Sequence, residues 1–190
     1  MNRKILKHSP AKRNVSKVDK HQPLESWNKI LTRLYLGNID SAEDLKFIKD
    51  KKIVAVLNCS KAHDIPNHFE GKGIEYLRLP VDDSLRERDF EKMSHLLPLA
   101  VEFIHKHVNV EKNNLLVHCW AGRQRSAISV AAFMVKYLGM TPKEATKYIQ
   151  NKRQEAFHFG ESVNFDQALN GYYKSLVCRA KKSDLVGESI

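Results

Sequence analysis

An α/β domain with a central, mostly parallel sheet flanked by helices is the fold class this sequence predicts. Two runs, Ile53-Val54-Ala55-Val56-Leu57 and Leu115-Leu116-Val117, are continuous and β-favouring, as expected of strands buried on both faces. Segments of helical spacing lie between and after them, which argues for layered strands and helices. The chain has 190 residues, 42% of them hydrophobic, enough for one packed core but with little room for a second domain.

Ordered structure is predicted to begin near Pro23–Trp27. Arg33-Leu34-Tyr35-Leu36 alternates and ends at Gly37-Asn38, a strand followed by a turn. Ser41 is placed to cap a short helix carrying Ala42, Leu45, Phe47 and Ile48. After the Ile53–Leu57 strand, Ile74-Glu75-Tyr76-Leu77-Arg78-Leu79 alternates and stops at Pro80. From Phe90 to His107 the apolar residues Phe90, Met93, Leu97, Ala100, Phe103 and Ile104 recur at helical spacing, and Pro98 predicts a kink or a split there. Ser126 to Leu138, rich in Ala, Val and Ile, reads as a buried helix closed by Gly139. Thr141-Pro142-Lys143-Glu144 is a helix start with an N-cap threonine, proline in the first turn and a capping-box glutamate. Phe165, Leu169, Tyr172 and Leu176 mark a last helix. The predicted organisation is a basic arm over residues 1–25, one folded domain over 26–177 and a tail over 178–190.

The net charge is +10, unevenly spread. Residues 1–23 carry seven Lys/Arg against one acid, Asp19. That arm reads first as a solvated tail and second as a handle for an anionic partner such as nucleic acid, acidic protein or lipid. A nucleic-acid-binding protein is disfavoured, because a pI near 9.5 stands without an aromatic-basic motif. No apolar run reaches the roughly 18 residues of a membrane span, and the N-terminus lacks an apolar signal core. An intracellular protein, cytoplasmic or nuclear, is therefore expected. The three cysteines, Cys59, Cys119 and Cys178, form neither a disulfide framework nor a Cys-x2-Cys pair, and the nine histidines show no ligand spacing. Neither metal nor cofactor is expected.

The segment that carries chemistry is Leu115-Leu116-Val117-His118-Cys119-Trp120-Ala121-Gly122-Arg123-Gln124-Arg125-Ser126-Ala127. A buried strand ends at a cysteine, a short glycine-containing loop follows, and a helix begins. Such a loop can turn successive N–H groups inward, and the helix N-terminus adds positive potential, so the segment predicts an anion site with a thiolate at its centre. Lowering a thiol from about 8.5 to about 5 takes roughly 5 kcal/mol. A helix N-terminus supplies about 0.3–2 kcal/mol, so the inward amides, the Ser126 hydroxyl and the Arg125 charge must provide the rest. Arg125 also offers a planar fork that matches two phosphoryl oxygens.

In this segment the chain resembles the Cys-x5-Arg phosphatases, and His-Cys-x-Ala-Gly-x-x-Arg-Ser is similar to the dual-specificity phosphatase signature. The resemblance extends over about residues 30–176 through Tyr35-Leu36-Gly37, Val56-Leu57-Asn58-Cys59-Ser60, Leu79-Pro80-Val81-Asp82-Asp83 and the Arg153…Phe157…Phe165…Leu169 spacing. Val81-Asp82-Asp83 and Ala156-Phe157 further resemble the small poxvirus enzymes, which implies a possible homodimer and, for a viral source, a virion location. The resemblance implies Cys119 as nucleophile, Arg125 as phosphate clamp, Ser126 as donor to the sulfur, and Trp120, Ala121, Gly122, Arg123, Gln124 and Arg125 as the substrate cradle. Asp83, 36 residues before Cys119, is the implied general acid, with Asp82 as the alternate register. Cys59 is either a small buried hydrophobe or a redox partner for Cys119, as in some relatives. The implied substrate is a protein carrying phosphotyrosine or phosphoserine/threonine, hydrolysed through a phosphocysteine without metal. Phosphoinositide or RNA 5′-phosphate hydrolysis and a catalytically silent phosphate-binding module are the alternatives, the former motivated by Arg123 and the basic arm.

Overall fold

The computed structural model describes residues 25–84, 86–158 and 165–187, with side chains described to residue 181. The basic arm apart from Glu25 therefore lies outside the described residues. Five strands form one sheet in the spatial order β1 (Trp27–Leu31), β2 (Leu34–Gly37), β5 (Asn114–His118), β3 (Ile53–Asn58), β4 (Glu75–Arg78). Only β1 and β2 pair antiparallel; β2–β5, β5–β3 and β3–β4 are parallel. The predicted mostly parallel sheet is thus present, with β5 at its centre.

Period-2 alternation divides the strand residues between two cores. Tyr35, Val56 and Leu116 face α1 (Ile39–Glu43) and α2 (Leu45–Asp50), where Phe47 stacks on Trp27 at 4.7 Å between ring centres. Leu34, Leu36, Ala55, Leu57, Leu115 and Val117 belong to the larger core on the other face. That core is completed by α3 (Glu87–His105), α4 (Arg125–Leu138), α5 (Pro142–Lys152) and α6 (Asp166–Gly187). Burial on both faces explains why β3 and β5 read as unbroken apolar runs.

Several local expectations change. The single short helix capped by Ser41 is two helices, because Asn38 and Asp44 each supply an N-cap: Asn38 Oδ1 accepts from the Ser41 N–H at 3.1 Å and Asp44 Oδ1 from the Phe47 N–H at 3.0 Å. Pro98 does not split α3, which runs unbroken from Glu87 to His105. Pro98 sits on the exposed side of that helix, while Met93, Leu97, Val101 and Ile104 continue the buried stripe past it. Five residues of π-helix, Lys106–Val110, then lead toward β5. The tail predicted from residue 178 is instead the continuation of α6 to Gly187: the apolar series stops at Leu176, but Arg179, Ala180 and Lys181 are strong helix formers. The capping box at Thr141 and Glu144 forms as expected. No helix among the described residues is long and apolar enough to cross a membrane.

Candidate active site

Strand β5 delivers His118 and then Cys119 to the C-terminal edge of the sheet, where α4 starts six residues later at Arg125. Cys119 is buried at 2% exposure. Ser126, in the first turn of α4, donates its hydroxyl to the Cys119 sulfur at 3.2 Å. Burial on its own pushes the thiol up; the Arg125 charge, the Ser126 hydroxyl and the Ser126 N–H oppose it and hold the thiol below its ordinary value. The arrangement can therefore hold a nucleophilic thiolate in a buried pocket.

Arg125 is itself buried, and its fork is anchored on the loop after β4. Nη1 donates to the Val81 carbonyl at 3.1 Å, and Nη2 pairs with Asp83 Oδ2 at 3.0 Å. Of the acidic doublet, Asp83 turns to the pocket. Asp82 is tied away from it by an ion pair with Lys61, which holds its carboxyl below the usual range, and its Oδ1 accepts from the Asp83 N–H at 2.9 Å. The pocket encloses about 180 Å³ between Ser60, Asp64, Ile65, Asp83, Trp120 and Arg125. Two carboxylates at its mouth disfavour a heavily anionic ligand beyond the one phosphoryl group that Arg125 can balance. Trp120, assigned to the substrate cradle by resemblance, is 55% exposed and lines this pocket.

The loop has an inside and an outside. The Trp120 carbonyl accepts from the Ile39 N–H at 3.0 Å, Ala121 from Arg153 Nη2 at 3.2 Å, Gly122 from Arg153 Nε at 2.9 Å, and Arg123 from the Phe157 N–H at 3.0 Å. Each carbonyl is thus drawn outward by α1 or by the turn after α5. In a planar trans peptide the following N–H points the opposite way, so the amides of Ala121, Gly122, Arg123 and Gln124 turn to the Cys119 side. Gly122 has φ +66°, and a Cβ there would lie 2.5 Å from the Gly37 carbonyl oxygen and 2.8 Å from Arg153 Nη2, so only glycine fits. Gln124 is buried, and neither atom of its amide finds a partner among the described residues.

Two neighbours flank the nucleophile from behind. His118 is buried, and that burial pushes its imidazole down to about 3, so it is neutral at physiological pH. Cys59 follows β3, and its N–H donates to the His118 carbonyl at 2.8 Å. Its thiol is free, contacts Ser129 Oγ at 3.5 Å, and is pushed up to about 12 by burial. A thiol held so high is a poor nucleophile toward an oxidised partner. Cys178 is exposed on α6, remote from the loop in sequence. Among the described residues no group of three or more His, Cys, Asp or Glu could hold a metal ion. Sequence reasoning singled out Arg153 and Phe157 only by their spacing and did not anticipate their bonds to the loop.

Comparison with known proteins agrees with this architecture. The family model described as the dual specificity phosphatase catalytic domain matches residues 34–175. Human dual specificity protein phosphatase 26 is 34% identical over 122 residues, covering 63% of this chain and 56% of that protein. Human dual specificity protein phosphatase 21 is 30% identical over 128 residues, covering 67% and 63%. This chain thus spans little more than half the length of the phosphatase 26 relatives. The crystal structure of the human tyrosine phosphatase-like serine/threonine/tyrosine-interacting protein superposes with a TM-score of 0.70 at 26% identity, covering 80% of this chain and 97% of that one. A match that begins at β2, beside the strand that ends in Cys119, and ends within α6 takes in Cys119, Arg125, Asp83 and Arg153, and the chain belongs to the dual specificity phosphatase catalytic domain family.

Proposed function

We propose that this protein hydrolyses phosphotyrosine and phosphoserine/threonine in proteins through a phosphocysteine intermediate. The observation that carries the reading is the set of contacts on two residues: Cys119 bonded by Ser126 at 3.2 Å, and Arg125 joined to Asp83 at 3.0 Å. On this reading nucleophile and anion clamp come from one loop, and the proton donor comes from the loop after β4.

In the first step an incoming monoanionic phosphoryl group takes the place of the Asp83 carboxylate on Arg125 and passes its proton to Asp83. Cys119 attacks phosphorus in line, the S–P bond forms, and the P–O bond to the substrate breaks. Asp83 gives its proton to the departing oxygen. The loop amides and Arg125 hold the three equatorial oxygens where charge spreads in the transition state. In the second step water gives a proton to Asp83 and attacks phosphorus. The S–P bond breaks, and its electron pair returns to the sulfur, stabilised by the Ser126 hydroxyl. The thiolate and the guanidinium between them supply nucleophile and charge, so the reaction is expected to proceed in a chelator.

The test is turnover of p-nitrophenyl phosphate and of phosphotyrosyl and phosphoseryl peptides in EDTA, with Asp83→Asn beside the wild type. Turnover of all three is expected, with Asp83→Asn lower by about 10²-fold and most impaired on the phosphoseryl peptide, whose alkoxide leaves least readily. Turnover of a phosphoinositide or an RNA 5′-phosphate with neither peptide accepted would replace the protein substrate. Absence of turnover with tight phosphate binding would make the domain a binding module.

A further inference from the structure

Arg153 is one of the largest fully buried side chains of the protein, at 2% exposure, yet no step above uses it. Nothing about its sequence context marks it as buried: it follows Asn151-Lys152, both exposed, at the C-terminal end of α5. Its donors are spent on backbone and side-chain oxygens. Nε and Nη2 bond the Gly122 and Ala121 carbonyls at 2.9 and 3.2 Å. Nη1 bonds the Glu25 carbonyl at 3.0 Å and Asn28 Oδ1 at 2.8 Å. Nη2 also pairs with Glu155 at 2.9 Å. A guanidinium so engaged has no free edge for substrate.

The rest of the turn continues the same pattern. The Ala156 N–H bonds the Arg153 carbonyl at 3.0 Å, which closes the turn. Phe157 then adopts φ +59°, a left-handed conformation that a bulky side chain disfavours, and its N–H meets the Arg123 carbonyl at 3.0 Å. Its ring is buried in the larger core, which holds the residue in that conformation. Three consecutive loop carbonyls, at 121, 122 and 123, are therefore bonded by a single five-residue turn.

We infer, on the phosphatase reading above, that Arg153 and Phe157 are positioning residues that set the phosphate cradle, Arg153 by fixing two loop carbonyls outward and Phe157 by fixing the third, so that the opposite amides face the thiolate and the phosphoryl oxygens. The charge of Arg153 is paired with Glu155, so its effect on the thiol comes chiefly through the orientation of the peptide dipoles. A guanidinium is suited to this task because its planar fork holds two carbonyl oxygens in fixed directions; a lysine ammonium does not. Loss of the fork lets the Ala121–Gly122 and Gly122–Arg123 peptides rotate, and their N–H dipoles leave the sulfur and the substrate together.

The experiment measures carboxamidomethylation of Cys119 by iodoacetamide against pH, read by mass spectrometry of its peptide so that Cys59 and Cys178 do not interfere. The full chain is used as wild type, Arg153→Met, Arg153→Lys and, as a stability control on the other face of the sheet, Phe47→Ala. Wild type is expected to react at a pH below the ordinary thiol range. Arg153→Met and Arg153→Lys are expected to move that profile upward by about one pH unit, a tenfold loss of thiolate at fixed pH. Both should lower kcat/KM for p-nitrophenyl phosphate by about 10²-fold and weaken competitive inhibition by orthovanadate to a similar degree. Phe47→Ala is expected to lower the melting temperature and leave the profile where it was. A wild-type profile in whichever Arg153 variant folds overturns the inference, and so does a profile that shifts as much in Phe47→Ala. A wild-type thiol that titrates in the ordinary range overturns the phosphatase reading itself, a result distinct from the other two.

Discussion

Two buried cysteines follow two neighbouring parallel strands, and their thiols move in opposite directions. Cys59 follows β3 and Cys119 follows β5, strands paired in register at Asn58 and His118. Each sulfur has a serine hydroxyl from α4 beside it, Ser129 for Cys59 and Ser126 for Cys119, one helical turn apart. Burial and hydroxyl contact are thus matched. Burial carries Cys59 up to about 12, whereas Cys119 is held below its ordinary value. The difference lies in what comes next along the chain. Cys119 enters a loop whose amides turn inward and whose arginine is at hand, while Cys59 passes to Ser60 and Lys61 with no helix starting behind it. A buried cysteine is inert by default, and the Arg125 charge and the Ser126 donors at the start of α4 are what lower one thiol of the two, as the proposed nucleophile requires.

Substitution of the two sulfurs gives the widest separation. Cys119→Ser should lower turnover of p-nitrophenyl phosphate by at least about 10⁴-fold, while Cys59→Ser should stay within about threefold of wild type. Comparable losses in both variants would mean that Cys59 takes part in the chemistry. Next in size is Arg125→Lys, which keeps the charge and removes the fork. Steady-state kinetics should show a drop of about 10²–10³-fold, mostly in kcat, because the fork acts on the transition state. The paired serines provide a finer contrast. Ser126→Ala should slow the second step by about tenfold and leave a burst of phosphoenzyme in rapid-quench measurements, whereas Ser129→Ala should leave the burst as in wild type.

A last effect, read in stability and not in turnover, concerns His118, the residue before Cys119. The folded protein keeps His118 neutral down to about 3, whereas an unfolded chain protonates it near 6.5. The unfolded state therefore binds the extra proton in this window. His118 contributes its full share above 6.5 and loses it as pH falls toward 3, by up to about 1.4 kcal/mol per pH unit. Urea unfolding of wild type and His118→Gln between pH 7 and 4 should show a flatter pH dependence in the variant. Parallel curves would mean that His118 takes up its proton in the folded state.

The inner half of the site was legible in the sequence because its parts are adjacent. Strand, Cys119, Gly122, Arg125, Ser126 and helix follow one another within a dozen residues, and each type matches one physical need of a bound anion. The outer half was not. Arg153 is about thirty residues away and looks like one more surface cation at the end of a polar helix; only the tertiary fold shows that its donors reach Ala121 and Gly122. Asp83 is preferred to Asp82 only by its distance in sequence from Cys119; the fold separates the two through Lys61, which holds Asp82 away from the pocket. The same contrast applies to the fold. Strands β3 and β5 announce themselves by composition, being buried on both faces. Strand β1, Trp27-Asn28-Lys29-Ile30-Leu31, carries two polar residues and owes its form to pairing with β2, so no local signal marked it.

Arg153 has a consequence for how the chain folds. Its bonds span 128 and 125 positions back to Glu25 and Asn28, and 31 and 32 positions back to the loop. Contacts of such long sequence separation carry the largest loop-closure cost and are expected to close late. The cradle is therefore finished only when the beginning of the domain, its middle and the turn after α5 are all in place. During refolding, recovery of a reactive Cys119 thiol should trail the recovery of helical signal, so the chemistry of one sulfur reports the last stage of assembly.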